Sequence, residues 1–534
     1  MRSSDTKCHE KFRRTDFKIK SVMEKLVDRY VVGKWVFWFI WLLLFVGGVV
    51  HYPGSLLTYT MFSAAFLTML ISGFYRQISY GYLFLVVMLW LGFWLKLTVH
   101  LLVDYPFMES VGSFVGTPAA WDEVLWIATT GSVGVVVARL LYGLTKWPSS
   151  MLVPNSEFKT PTWYPATRKW MWAGLMVACI GLAITNASLG ILQIGLVPGT
   201  ILLWPLNAVI CWLIGYGLTL GIATLLWWDV SLGRNVSVVV YFVLLEAFIS
   251  TVSMLSRGGY IFHVVPQFLA LYKNKNAVSG WSRKNITAVC MTFIVLFALA
   301  NPLVNALRSF YYSDVPLPIN NSESTGNASG ASVDNAGGVN TGGALTYNVG
   351  IKLVNNAGRK ANGLAKFAID RWVGAEGVMA VSAYPKKGID LFKDGIMERR
   401  EIGKDTLYIE ISRPVYLGLV DKSKFQFSEI PGVMAFLYYT GRLWVVALGM
   451  VVLVLAVLGS ERLVFKFTGN PLLSALWGGA AANAVAQMGV APRGLFVYFF
   501  ELSCGIAAIC FVQSECFSRA LQKFSLLRSA KSGA

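Results

Sequence analysis

Several ionisable residues sit in a chain that is otherwise apolar, and their types limit the chemistry they can do. One apolar run ends in Thr251-Val-Ser-Met-Leu-Ser256-Arg257-Gly258-Gly259, and a second begins at once and carries His263. A guanidinium on a backbone loosened by two glycines can hold an anion at the lipid–water boundary. Snorkelling to phospholipid headgroups is the plainer use of the same residue. Glu246 lies eleven residues before Arg257, close to three helical turns, so the two share a helix face. A carboxylate within a span needs a partner or a polar cavity. Lys96, His100 and Asp104 follow each other at intervals of four, again on one face. A histidine beside a carboxylate has the makings of a general base, although Lys96 can also snorkel while the other two meet headgroup water. Arg442, in Tyr438-Tyr-Thr-Gly-Arg-Leu-Trp444, reads as two turns inside a span, where only an anion or a carboxylate such as Glu246 explains it. Arg308 and Arg493 fall at span ends, where snorkelling suffices. Farther into the polar region, Asp370-Arg371-Trp372 and Glu376 lie on an amphipathic stretch, and Arg371 with Glu376 reads as an ordinary surface pair.

These residues are positioned by a membrane protein. The 534 residues are 55% hydrophobic and only 14% charged, against about 25% in soluble domains. The 19 Trp, 22 Tyr and 33 Phe suit rings that anchor spans at both interfaces. The net charge of +18 belongs to topology, because most short basic loops fall on one side, and it does not signal nucleic acid. Six of the seven cysteines lie in or beside apolar runs, with Cys8 in the N-terminal tail, and no pair has metal-ligand spacing. Gly-rich phosphate loops, HExxH and GxSxG patterns are absent.

The fold class expected is an all-α polytopic membrane protein with about eleven or twelve transmembrane helices and one large extracytoplasmic loop domain. Apolar runs place spans near 35–50, 57–74, 82–103, 123–144, 169–186, 198–228, 236–256, 260–272, 285–308, 434–458 and 496–514, with a weaker Ala/Gly-rich candidate at 470–490. Because Pro198 and Pro205 interrupt 187–228, one helix plus a re-entrant or interfacial piece is expected there. The organisation is then a basic tail (1–34), a first bundle (35–308), a loop domain (309–433), C-terminal helices (434–514) and a second basic tail (515–534). Arg76, Lys146, Arg168, Lys169, Arg283, Lys284, Arg462 and Lys466 fall on one side with the N-terminus, whereas Asp104, Glu109, Asp122 and Glu123 fall on the other. The positive-inside rule makes the first side cytoplasmic and puts position 257 on the outer face. Within the loop, 315–345 is rich in Gly, Asn and Ser and reads as a flexible linker. Residues 356–383 have helical patterning, a polar helix carries Phe392 and Ile396, and Asp405-Thr-Leu-Tyr-Ile-Glu-Ile-Ser-Arg-Pro414 reads as extended.

With Ser256-Arg257-Gly258 at the outer end of a span and a large outer loop bordered by arginines before the last spans, the chain resembles the O-antigen polymerase and ligase (Wzy-type) superfamily of bacterial envelopes. The likeness covers about 236–458. It implies transfer of glycan from a polyprenyl-diphosphate carrier at the outer face of the inner membrane, without metal or cofactor. The partners implied are membrane lipids, the carrier-linked glycan and other envelope-biosynthesis proteins. It also implies that Arg257 and Arg442 bind the diphosphate and that Arg371 approaches from the loop. Ligases of the group carry a histidine in the large loop and this loop has none, which favours a polymerase. The base is then sought among His100, His263 and Glu246. The linker matches nothing in the family pattern. Two other classes stay open: a flippase or exporter of lipid-linked glycan, with similar arginines and no chemistry, and a scaffold subunit of an envelope assembly system.

Overall fold

The computed structural model describes residues 33 and 35–520 apart from 76–78, 104–106, 108, 146–159, 257, 275–280, 312–371, 415–420, 427–428 and 490. Both tails as far as residue 32 and from 521, the 315–345 linker, Asp104, Arg257 and Arg371 therefore lie outside the described residues. What is described is nearly all helical, as expected of an all-α polytopic protein. Among the described residues, eight helices are long and apolar enough to cross a membrane. They are α2 (Leu56–Phe74), α3 (Tyr80–Val103), α4 (Pro118–Leu144), α5 (Tyr164–Leu189), α6 (Leu206–Ser231), α9 (Arg283–Tyr311), α14 (Leu443–Thr468) and α16 (Pro492–Gln513). Four shorter helices complete the bundle: α1 (Trp35–His51), α7 (Val240–Ser253), α8 (Gly259–Lys273) and α15 (Pro471–Gln487).

Local sequence explains the breaks. Thr117 caps α4 through its side chain, with Pro118 at the first helical position, and Asn470 and Pro471 do the same for α15. Residues 190–205 are not helical, so 187–228 holds one helix and an irregular piece, as its two prolines imply. Two helices contain a wider turn: Trp90–Leu95 in α3 and Leu213–Gly217 in α6. Such π-turns occur often at functional sites.

The centre of the bundle is α15, the Ala/Gly-rich stretch with the weakest hydropathic signal. All but a few of its residues are buried, among α3, α6, α8 and α14. Small residues let it in, since a Cβ on Gly478 would lie 2.6 Å from the Gly81 nitrogen of α3. By contrast α9, strongly apolar, buries only Val289, Ala300 and Val304 and turns most of its surface outward.

Residues 372–441 do not stand apart from the bundle. Their helices α10 (Ala375–Ser382), α11 (Ile389–Met397), α12 (Leu407–Ser412) and α13 (Val433–Leu437) contribute Val378, Val381, Tyr408 and Phe436 to one apolar core with Tyr59, Phe93 and Val454. The expected helix at 389–397 is present. The expected extended segment at 405–414 is instead α12, because the Thr406 side chain caps it and Arg413 ends it in the left-handed conformation at φ 47°. Of the expected helix at 356–383 only residues 372–383 are described, and Ala375–Ser382 among them is helical.

Candidate functional site

Three polar constructions bring together residues that the sequence singled out. The first surrounds position 257. Helix α7 ends at Ser253, and Leu255, buried, takes a positive φ of 54°. A bulky residue in that region is strained, and it persists only where its surroundings hold it. Here they do. Arg308 of α9 donates from Nε and a terminal nitrogen to the Leu255 carbonyl (3.0 and 2.7 Å), so this arginine is engaged inward and does not snorkel. The Asn186 amide of α5 donates to the Ser253 carbonyl and hydroxyl (3.0 and 2.8 Å). The Ile194 N–H donates to the Met254 carbonyl (2.9 Å), and the Gly259 N–H to the Ser256 hydroxyl (3.2 Å). Returning chain is tied to the same place. The Val197 N–H donates to the Lys424 carbonyl (3.0 Å), and the Gln426 N–H to the Gly195 carbonyl (3.1 Å). These bonds frame an isolated antiparallel bridge between Leu196 and Phe425. Residues 424–426, the 194–197 break and residues 254–256 and 259 thus form one hydrogen-bonded junction.

Two turns farther into the bundle is the second construction. Glu246 of α7 and His263 of α8 meet at 3.2 Å between Oε1 and Nδ1, with side chains 0% and 3% exposed. Thr219 of α6 donates to the same carboxylate oxygen (3.0 Å) and lies 2.9 Å from His263 Nδ1. Ser250 also donates to Oε1 (2.9 Å), whereas Oε2 has no hydrogen-bond partner. The other ring nitrogen, Nε2, lies 3.0 Å from the Gly215 carbonyl inside the π-turn of α6. The partner of Glu246 is therefore a histidine–threonine pair, which corrects the suggestion of Arg442. Arg442 is not two turns inside a span. Gly432 and Gly441 take positive φ (77° and 68°), the intervening helix ends, and α14 starts only at Leu443 with Arg442 exposed just before it.

The third construction corrects two more expectations. Lys96 does not snorkel and Glu376 is not a surface residue: the two form an ion pair in which both side chains are 0% exposed. Lys96 also donates to the Trp372 carbonyl (3.0 Å), the residue next to Arg371. The contact depends on Gly92 in the π-turn of α3 and on Gly374, since a Cβ on either would strike the backbone of the other segment. His100, one turn beyond Lys96, is buried and stacks on Phe107 with ring centroids 4.2 Å apart, so it belongs to this wall and not to the Glu246 cluster.

Outside the spans, Glu429 accepts from the Ser412 hydroxyl. Burial pushes its carboxyl up to about 7, although the Ser412 and Ser110 hydroxyls pull the other way.

Two buried carboxylates escaped sequence reasoning. Asp229 takes both Arg168 nitrogens (2.6 and 2.8 Å) together with Tyr164 Oη and Trp172 Nε1. Glu461 of α14 accepts the Tyr80 and Gly81 N–H groups (2.8 and 2.7 Å) and the Ser79 hydroxyl, closing the start of α3. Each is an acidic residue inside or beside an apolar run, and that was the available signal. Thr219 and Gly215 gave none. Among the described residues, no three of His, Cys, Asp and Glu converge in a way that could hold a metal ion. No family model, curated protein or solved structure matches the chain.

Proposed function

We propose that this chain is a polymerase that transfers glycan repeat units from a polyprenyl-diphosphate carrier to a growing lipid-linked polysaccharide. In this reading the eight long helices and the four shorter ones make up to twelve crossings of a bacterial inner membrane. Both ends are then cytoplasmic, and residues 372–441 lie toward the outer face. The observation that carries it is the junction around position 257. A strained turn, an inward arginine and returning chain from beyond the linker are all fixed at one point, next to a residue type suited to phosphate.

The chemistry is a displacement at the anomeric carbon. The acceptor hydroxyl forms the new C–O bond, the bond to the diphosphate oxygen breaks, and the diphosphate leaves with the electron pair. Arg257 neutralises that leaving group, with a bidentate geometry that lysine lacks. Arg442, exposed at the start of α14, and Arg371, next to the carbonyl held by Lys96, are further contacts to carrier or glycan. The hydroxyl proton needs an acceptor, and the Glu246–His263 pair below the turn is the candidate ahead of His100, which is stacked elsewhere.

Replacing Arg257 by Lys and by Ala tests this, with expression checked and surface polysaccharide resolved by length on gels. Loss of long chains in both variants, with single repeat units still exported, is the expected result. Accumulation of carrier-linked units on the inner side would instead identify a flippase. An unchanged length profile would remove the case for an enzyme.

A further inference from the structure

We infer that Glu246 and His263 share a single proton, which makes the pair a proton-binding site enclosed in the helix bundle. Donors and acceptors do not balance otherwise. His263 Nε2 faces the Gly215 carbonyl at 3.0 Å, and a carbonyl only accepts, so Nε2 carries a hydrogen. A neutral ring then presents a bare lone pair at Nδ1. That lone pair would face Glu246 Oε1, itself an acceptor when ionised, at 3.2 Å. The single Thr219 hydroxyl hydrogen cannot serve both, although it lies within reach of each (3.0 and 2.9 Å). The Ser250 hydrogen is directed to Oε1. One further proton between Nδ1 and Oε1 resolves the conflict and leaves the pair neutral overall. Imidazolium with carboxylate and imidazole with carboxylic acid are two descriptions of the same proton count.

The surroundings point the same way. Glu246 is 0% exposed, and its Oε2 has no hydrogen-bond partner. An unpaired oxygen is far less costly on a neutral pair than on an isolated buried anion. The ionisable groups nearby are Cys179 of α5, Tyr216 of α6 and Tyr260 of α8, with Tyr498 of α16 against Tyr216. Helix α15, packed on α8, has no ionisable side chain, and α9, packed on α7, has its charged residues only near its ends, at Arg283, Lys284 and Arg308. The sole ion-pair partner of Glu246 among the described residues is His263.

The test uses the full-length chain in lipid nanodiscs at neutral pH, with [15N]histidine for magnetic resonance and infrared detection of carboxylic acid. The chain has four histidines, and His263→Gln identifies the relevant signal by its loss. A 13C label on glycine carbonyls identifies the same ring without any variant. His263 meets Gly215 through Nε2, whereas His51 meets Gly47 through Nδ1 (2.9 Å). The expected result is either His263 protonated on both ring nitrogens or a neutral ring together with a carboxylic acid band lost in Glu246→Gln. A neutral ring of either tautomer with no such band would overturn the inference. Neither readout involves glycan transfer, so this inference and the proposed activity can fail separately.

Discussion

Asp229, toward the end of α6, and Glu246, midway along α7, are both fully buried carboxylates, and the same bundle treats them in opposite ways. Both oxygens of Asp229 are used, by a forked guanidinium and by Tyr164 and Trp172. On Glu246 three groups crowd Oε1 and none meets Oε2. A saturated carboxylate of the first kind fixes geometry. One of the second kind, held by a histidine and with an oxygen to spare, is where the shared proton inferred above would sit. Glu376 stands between them, ion-paired with Lys96 and with no exposure.

The largest effect expected is at Glu376. Lys96→Met or Glu376→Met alone strands a buried charge, at a cost of about 3–5 kcal/mol. Replacing both by Met should recover most of that loss, because a buried ion pair is often no better than apolar packing. Thermal unfolding of singles and double in detergent gives the cycle, and additive losses would show that the two residues do not act as a pair. The contrast between the first two carboxylates comes next. Asp229→Ala abandons an arginine and two further donors and should cost roughly 3 kcal/mol. Glu246→Gln keeps an acceptor for Thr219 and Ser250 and should cost under about 1 kcal/mol while abolishing long polysaccharide chains. Equal destabilisation by the two would erase the distinction.

A pH-dependent effect concerns Glu429, a carboxyl outside the spans. With its folded value raised to about 7, the folded state holds a proton that the unfolded chain has released. Stability should therefore fall as pH rises from the ordinary carboxylate range to about 7 and level off above it. Tm followed from acid to neutral pH should drop by roughly a few degrees, and Glu429→Gln should flatten the slope. A slope that survives the substitution would assign it to another group.

Apolar periodicity was enough to place most of the helices, because a span must hide its backbone whatever it packs against. The interrupted 187–228 stretch was legible from two prolines. Glu246 and His263 were each conspicuous as polar residues in apolar runs, but their contact was not, since it depends on how α7 and α8 cross α6. Arg442 was misplaced by a few residues for a local reason, as Gly432 and Gly441 detach α13 from α14 while leaving the apolar pattern continuous. Glu376 was misread because the sequence beyond the linker has the charge content of a soluble segment. Nothing in its own residues says that a lysine inside α3 is waiting for it.

The thinness of α15 has a bearing on how the protein is made. A helix of Ala, Gly and one Asn at its centre gains little from lipid, so it has weak reason to leave the translocation channel alone. Its neighbours α3, α6, α8 and α14 all precede it in the chain. Biogenesis therefore has an order built into it: α15 enters a berth that earlier helices have already enclosed, and Gly81 and Gly478 set the clearance for that entry.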